Sequence, residues 1–524
     1  MNRVIETWQV RKPAVESAGG LVASQHYLAS NVGAKVLADG GNAVDAAVAA
    51  SLAIGTVEPW MSGLGGGGFM LVYRAKENRV DAVDFGMIAA AGLNPATYPL
   101  TNSQGADLFA WPAVKDDRNL QGYHAIAVPG YVAGLDLALK EFGTRSWADM
   151  LAPAIDSAEA GMQTDWYASL KIATGAAILA RYEESKRTYV PDGFPPIGEW
   201  GGPVPAIKLG RLADTLKRLA EVGARDFYEG DIAKSLIQDL QAGGSPIAAA
   251  DLANYQARVL PAISADYRGA TVYAAPGLTA GPTLHNALGL LSEALNPAGA
   301  PGPDAYKAYA QSLLTAYADR LETMGDADET SSPSCTTHLT VVDAEGNMVA
   351  LTQTLLSLFG SKVMLPGTGI MMNNGIMWFD PRPGRPNSIG PGKRPLSNMC
   401  PVVVECEDGA RFAAGASGGR RILPAVFQLV SFLADYGMSM DDAVHQPRID
   451  VSGTDLIAVD DRLDPAAVDA LSAAFNVTVQ QHGVYPALFA CPNAVARDPA
   501  SGLNSGGAFV MSPWAKVSEQ GAAG

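Results

Sequence analysis

Thr336 heads the segment Thr336-Thr337-His338-Leu339-Thr340-Val341-Val342-Asp343. A threonine hydroxyl is a weak nucleophile until a base stands beside it, and the α-amine of the same residue at a chain N-terminus is one such base. With a reference pKa of about 8, that amine can take and return a proton near neutrality. Thr336 lies in mid-chain, so it gains an α-amine only if the Cys335–Thr336 bond is cut. The position therefore implies a precursor, a self-cleavage step and an amide-attacking enzyme made of two fragments, 1–335 and 336–524. Taken alone, Thr-Thr-His before an alternating run is better explained by a strand edge whose hydroxyls pair across a sheet.

Two glycine runs could serve such a nucleophile. Gly65-Gly66-Gly67-Gly68 enters the apolar run Phe69-Met70-Leu71-Val72-Tyr73. It precedes a strand and lacks the spacing and lysine of a phosphate loop, so close backbone packing near a substrate or catalytic residue fits better. Gly418-Gly419 stands between an apolar strand pattern and a long apolar helix pattern. A turn there exposes N–H groups that cap the helix, and the start of a helix is also favourable to an anion.

The elements that must position these residues follow from periodicity. Residues 28–54 give a helix, a break at Asp39-Gly40-Gly41-Asn42, and a second buried helix from about 43 to 54. Residues 128–322 read as largely helical. Strands follow at 337–343 and 348–355 around the turn Ala344-Glu345-Gly346-Asn347, then at 370–373, 399–404 and 411–414, before an apolar helix over 420–435. Two strand groups with helices outside them predict an α/β protein layered as an αββα sandwich, its two fragments forming one integrated domain.

The chain has 524 residues, 17% of them charged, with a net charge of −16. That balance argues against a nucleic-acid partner, which needs basic patches. No uncharged apolar run of about 18 residues marks a membrane span. Four cysteines, Cys335, Cys400, Cys406 and Cys491, do not make a disulfide framework, and they and the six histidines show no metal-ligand spacing. No cofactor is expected. The first residues, Met1-Asn2-Arg3-Val4-Ile5-Glu6-Thr7-Trp8, show no apolar signal region, which makes the cytoplasm the expected compartment.

Five segments in order resemble the γ-glutamyltransferase family of N-terminal-nucleophile hydrolases. They are Gly41-Asn42-Ala43-Val44-Asp45-Ala46-Ala47, Leu64-Gly65-Gly66-Gly67-Gly68-Phe69, Thr336-Thr337-His338 with Val341-Val342-Asp343, Gly390-Pro391-Gly392-Lys393-Arg394-Pro395-Leu396-Ser397-Asn398-Met399, and Gly415-Ala416-Ser417-Gly418-Gly419-Arg420-Arg421-Ile422. The resemblance implies that Thr336 attacks the carbonyl of Cys335, forms an ester by an N→O shift, and is freed by water. Its amine then becomes the general base and its Oγ the nucleophile. The resemblance also implies that Thr354 supports the nucleophile and that Gly418 and Gly419 present N–H groups to the oxyanion. As partners it implies the two fragments as a heterodimer, with a dimer of heterodimers compatible, and a small-molecule amide.

The chain departs from that family where a γ-glutamyl group would be recognised. Gly86 and Met87 of Asp84-Phe85-Gly86-Met87 stand where the resemblance places the arginine for the α-carboxylate and a glutamate. Leu356, Gly375 and Trp378 replace polar contacts to the α-ammonium. A buried ammonium without acceptors is strongly unfavourable. What remains is an apolar wall (Leu356, Phe359, Trp378) and a polar end at Ser397 and Asn398, with Arg382 and Arg385 on a shortened loop over 378–395 as candidate cations for a small acid. The expected activity is hydrolysis of the amide of a small amide acid, oxamate to oxalate and ammonia first. A cephalosporin or N-acyl amidase, a γ-glutamyl enzyme with rebuilt recognition, and an unprocessed scaffold without chemistry stand as alternatives.

Overall fold

The structure is a computed structural model, and it describes residues 10–104, 111–324, 335–452, 455–485 and 487–521. Ser334, just upstream of the expected cleavage bond, lies outside the described residues. Fourteen strands build the two central sheets. In chain order they are β1 (Val15–Ser17), β2 (Leu21–Ser24), β3 (Gly67–Arg74), β4 (Arg79–Phe85), β5 (Arg258–Pro261), β6 (Ile263–Tyr267), β7 (Ala270–Ala274), β8 (Cys335–Val342), β9 (Met348–Leu356), β10 (Val402–Glu405), β11 (Arg411–Ser417), β12 (Cys491–Arg497), β13 (Asn504–Ala508) and β14 (Lys516–Glu519). One seven-stranded sheet runs β14-β2-β8-β9-β3-β4-β5 and the other β1-β13-β12-β11-β10-β7-β6. Helices α1 (Tyr27–Ala38) and α2 (Ala43–Val57) share a core with the first sheet. Helices α3 (Gly281–Ala294), α4 (Pro303–Thr323) and α5 (Ile422–Ala434) share one with the second. The expected αββα layering is the observed one. Among the described residues no helix is long and apolar enough to cross a membrane.

Every side chain of α2 is buried, and its run of Ala, Val and Ser lets α1 approach so closely that a Cβ on Gly33 would meet the Ala46 carbonyl at 3.2 Å. The Gly-Asn-Ala-Val-Asp motif proves to be its N-cap. Asn42 accepts from the amides of Val44 and Asp45, and Asp45 returns a bond to the Asn42 amide at 2.9 Å. The same buried carboxylate accepts from Thr144 N (2.8 Å), Thr144 Oγ1 (2.6 Å) and Arg145 N (3.1 Å). Asp45→Ala strands all these donors, so it is expected to lower stability by about 3 kcal/mol, read as an earlier unfolding transition in urea. Asp45→Asn should recover part of that loss.

The hairpin β8–β9 turns on Asp343, whose Oδ1 accepts from Glu345 N (3.0 Å) and Asn347 N (2.9 Å) while Oδ2 accepts from Ala43 N at the head of α2 (3.1 Å). On the inward face of β8, Thr340 donates to Asn493 Oδ1 of β12 (2.9 Å), and Asn493 donates back to the His338 carbonyl (2.8 Å). These bonds pin the two sheets face to face. His338 lies against Gly415 of β11, where a Cβ would sit 2.2 Å from the ring.

Two expectations are corrected. Residues 258–274 were expected within a helical region but form β5, β6 and β7. Buried and half-buried positions alternate along β7, the period of a strand edge covering one layer. Residues 370–373 were expected as a strand but form isolated bridges, because Met372 N donates to Val363 O (2.9 Å) and Asn373 N to Gly65 O (3.1 Å) in loops. Helix α5 starts at Ile422 rather than 420 because a short 3-10 turn over Gly419–Arg421 precedes it.

Candidate active site

Thr336 sits at an irregularity of the central hairpin. Cys335 pairs with Leu356 and Thr337 with Gln353, so Thr336 alone opposes both Thr354 and Leu355. Such a bulge re-aims a side chain at the end of a ladder. Thr336 is 3% exposed, and its Oγ1 lies 3.4 Å from Thr354 Oγ1, which accepts from the Leu356 amide at 2.7 Å. Leu356 carries a φ of +87°, a left-handed conformation that costs a non-glycine residue roughly 1–3 kcal/mol and that clusters at functional sites. The surroundings hold it there. Leu355 N donates to Met61 O (2.9 Å), and Asn374 N to Leu355 O (3.1 Å). The glycine loop presses on the same strand end, since a Cβ on Gly66 would lie 2.4 Å from the Thr354 carbonyl. Close packing beside Thr354 is thus what this loop provides.

His338, two residues along, is not a base. It is fully buried, its Nδ1 is 2.9 Å from Thr352 Oγ1, and burial pushes its pKa down to about 3, so it is neutral at pH 7. Among the described residues an uncut Thr336 therefore has the Thr354 hydroxyl beside it and no side-chain base.

Gly418 and Gly419 follow β11, which faces β8 across the sandwich. Gly418 has φ +137° and Gly419 φ +60°, and the amides of such a turn have no helical acceptor ahead of them. A Cβ on Gly418 would meet the Ala490 Cα at 2.9 Å. Ser417, the last residue of β11, accepts a hydrogen bond from buried Gln25. Tyr317 of α4 donates to the carbonyl of Arg420, so the glycine turn is braced on both sides.

The positions that the resemblance assigns to α-ammonium contacts, Leu356, Gly375 and Trp378, are closely packed. A Cβ on Gly375 would lie 2.8 Å from Met87 Sδ, so Met87 packs into the space beside Gly375. Leu356, Phe359 and Trp378 are all buried in the main core. The strand end at Gly86 is held by Tyr255 (2.7 Å) and Arg394 (3.2 Å) donating to its carbonyl, while Arg394 and Arg258 both pair with Asp84.

At the polar end, Ser397 is 1% exposed and its Oγ accepts from Met399 N at 3.2 Å, which leaves its hydroxyl proton to donate elsewhere. Asn398 is buried beside it. Arg382 as an open cation is corrected: its Nε and Nη2 hold buried Asp380 at 2.9–3.1 Å, and its guanidinium lies 5.7 Å from the Trp111 ring centre. Its charge is taken by that carboxylate. Arg385 is exposed, and its amide donates to Ser388 Oγ (2.8 Å).

Arg320, Tyr317, Gln25 and Asn374 were not identified from sequence. The one signal available was the spacing of Tyr317 and Arg320, which puts them on one face of the helix before the cleavage segment. Among the described residues no group of three or more His, Cys, Asp or Glu could hold a metal ion.

Comparison with known proteins agrees with this geometry. The chain is 33% identical to the Acylase ACY 1 proenzyme of Pseudomonas sp. (strain SE83), over 95% of this chain and 93% of that protein. It is 33% identical to the Glutathione hydrolase proenzyme of Escherichia coli (strain K12), over 83% and 81%. The fold is that of the cephalosporin acylase of Bacillus halodurans, with a TM-score of 0.85 at 23% identity over 100% of this chain and 99% of that one. The sequence profile described as Gamma-glutamyltranspeptidase matches residues 29–335 and 329–508. The chain therefore belongs to the gamma-glutamyltranspeptidase family, whose members are N-terminal-nucleophile hydrolases acting on amide bonds.

Proposed function

We propose that this protein is a self-processing acylase: it hydrolyses the amide of an acyl group that carries a carboxylate and no α-amine. The observation that carries the reading is the unequal state of the two groups of residues that the resemblance assigns to an acyl group's ammonium and carboxylate. Met87 packs against Gly375 in the first, while Ser397 and Asn398 keep donors in the second. Similarity to an acylase proenzyme along nearly the whole chain supports the processing and an acylase-type activity.

In this reading Thr336 Oγ attacks the Cys335 carbonyl, the C–N bond breaks as the ester forms, and water hydrolyses the ester to leave fragments 1–335 and 336–524. The liberated amine takes the Oγ proton as the hydroxyl attacks the substrate amide, then gives it to the leaving amine. Gly418 and Gly419 N–H groups stabilise the oxyanion in both acylation and deacylation, each donor contributing roughly 10²–10³ in rate. Thr354 holds the attacking oxygen at the bulge.

The test compares three substrates with the mature protein: ammonia release from oxamate, and p-nitroaniline release from glutaryl- and γ-glutamyl-p-nitroanilide. The two α-amine-free acids are expected to exceed the γ-glutamyl anilide in kcat/KM by at least about tenfold. Oxamate tests the shortest acyl group and the glutaryl anilide a longer arm. A γ-glutamyl anilide that is the fastest of the three would overturn the reading.

A further inference from the structure

Arg320 on α4 is 2% exposed, and every acceptor around its guanidinium is uncharged. Nη1 donates to Thr279 O (2.9 Å) and Thr283 Oγ1 (3.0 Å), and Nη2 to Ser397 O (2.7 Å) and Asn398 Oδ1 (3.4 Å). Among the described residues no carboxylate pairs with it. Its electrostatic neighbours are the Tyr317 hydroxyl and the Cys400 thiol, and burial raises the pKa of both, keeping them neutral at pH 7. By contrast, buried Asp380 is paired with Arg382 and buried Asp435 with Arg268. A buried guanidinium stays charged and is unfavourable without a counter-ion, so it creates a positive field that an incoming anion relieves.

Asn398 shows where that anion fits. Its Oδ1 faces the guanidinium, so its Nδ2 points the other way, and that Nδ2 is buried without a hydrogen-bond partner. Reversing the amide would set two donors against each other, which fixes the orientation. The Ser397 hydroxyl adds a second donor. Tyr317, three residues before Arg320 on the same helix face, donates to the Arg420 carbonyl beside Gly418 and Gly419. One face of α4 thus braces the acid-binding end and the oxyanion turn together.

We propose that Arg320 is a positioning and specificity-determining residue: it turns the Asn398 amide nitrogen into the acyl pocket, and its unmatched charge selects acyl groups that bear a carboxylate over neutral ones. This rests on the acylase reading above.

The test uses the full chain, with Arg320→Met, Arg320→Lys and Asn398→Asp as variants, glutaryl- and butyryl-p-nitroanilide as substrates, and free glutarate as an anion probe. In Arg320→Met the preference for the glutaryl over the butyryl anilide is expected to fall at least about tenfold, through KM more than kcat, with butyryl hydrolysis kept and Arg320→Lys recovering part. Glutarate is expected to raise the Tm of the wild type and not of Arg320→Met. A cleaved Arg320→Met protein that keeps its preference, or loses both substrates equally, overturns the proposal. Should Arg320→Met fail to fold, Asn398→Asp decides. It neutralises the guanidinium in place and removes the donor, so it must lose both the glutaryl preference and the glutarate shift, and retention of either overturns the proposal. A wild type that hydrolyses neither anilide nor oxamate sinks the acylase reading, and the glutarate shift then still judges Arg320 by itself.

Discussion

A Thr336→Ala chain is expected to run as a single 54.5 kDa band and to release nothing measurable from any amide. Wild type is expected to give fragments of about 35 and 20 kDa, the chain divided after residue 335. Removal of one hydroxyl has two consequences because the same oxygen is used twice, first on the Cys335 carbonyl and then on the substrate. No neighbour can replace it. His338 is neutral and locked on Thr352, and Thr354 already accepts from Leu356 N. The fall in turnover should exceed roughly 10⁵, as expected when a nucleophile is removed outright. Thr336→Ser keeps the oxygen and should retain both cleavage and activity at reduced rates. An alanine chain that is cut at the same bond would refute Thr336 as the processing nucleophile.

The second large effect is expected at Gly418. Its φ of +137° is poorly accessible to L residues, and a Cβ would press on the Ala490 Cα at 2.9 Å, where backbone cannot yield as a flexible side chain would. Gly418→Ala should therefore turn the amides of residues 418 and 419 away from the developing oxyanion. Turnover is expected to fall about 10²–10³-fold in kcat with KM changed little, because the lost bond forms only in the transition state. Steady-state kinetics on a fast anilide substrate checks this. A variant that loses KM while keeping kcat would assign the turn to substrate binding.

What was legible in the sequence was local. The β8–β9 hairpin, the buried helix behind Asn42 and Asp45, and the Gly418-Gly419 turn each announce themselves through period, cap or glycine within about fifteen residues. Thr354 was tied to Thr336 by the resemblance, and the β8–β9 hairpin is what sets the two side by side. Arg258–Ala274 was missed because its strands are four or five residues long and lie between helical segments, two of them at sheet edges. Trp378 and Arg382 were offered as pocket residues because their types suit a pocket. The structure sets Trp378 in the main core and pairs Arg382 with Asp380. Arg320 was invisible for the opposite reason. Its meaning depends on Thr279, Thr283, Ser397 and Asn398, up to 78 positions away, and on the absence of a carboxylate among them.

The order of strands in the two sheets has a consequence for the protein after cleavage. In the sheet β14-β2-β8-β9-β3-β4-β5 the central hairpin comes from residues beyond 335, and it is flanked on both sides by strands from before 335. The other sheet is likewise mixed, with β1, β6 and β7 contributed from upstream. Neither piece owns a whole sheet. The proposed cut between Cys335 and Thr336 would convert a unimolecular folding problem into a bimolecular one. The precursor can find its structure at any dilution, whereas the severed protein, once denatured, must find its other half. Its persistence is then a matter of how slowly it unfolds rather than how well it can refold.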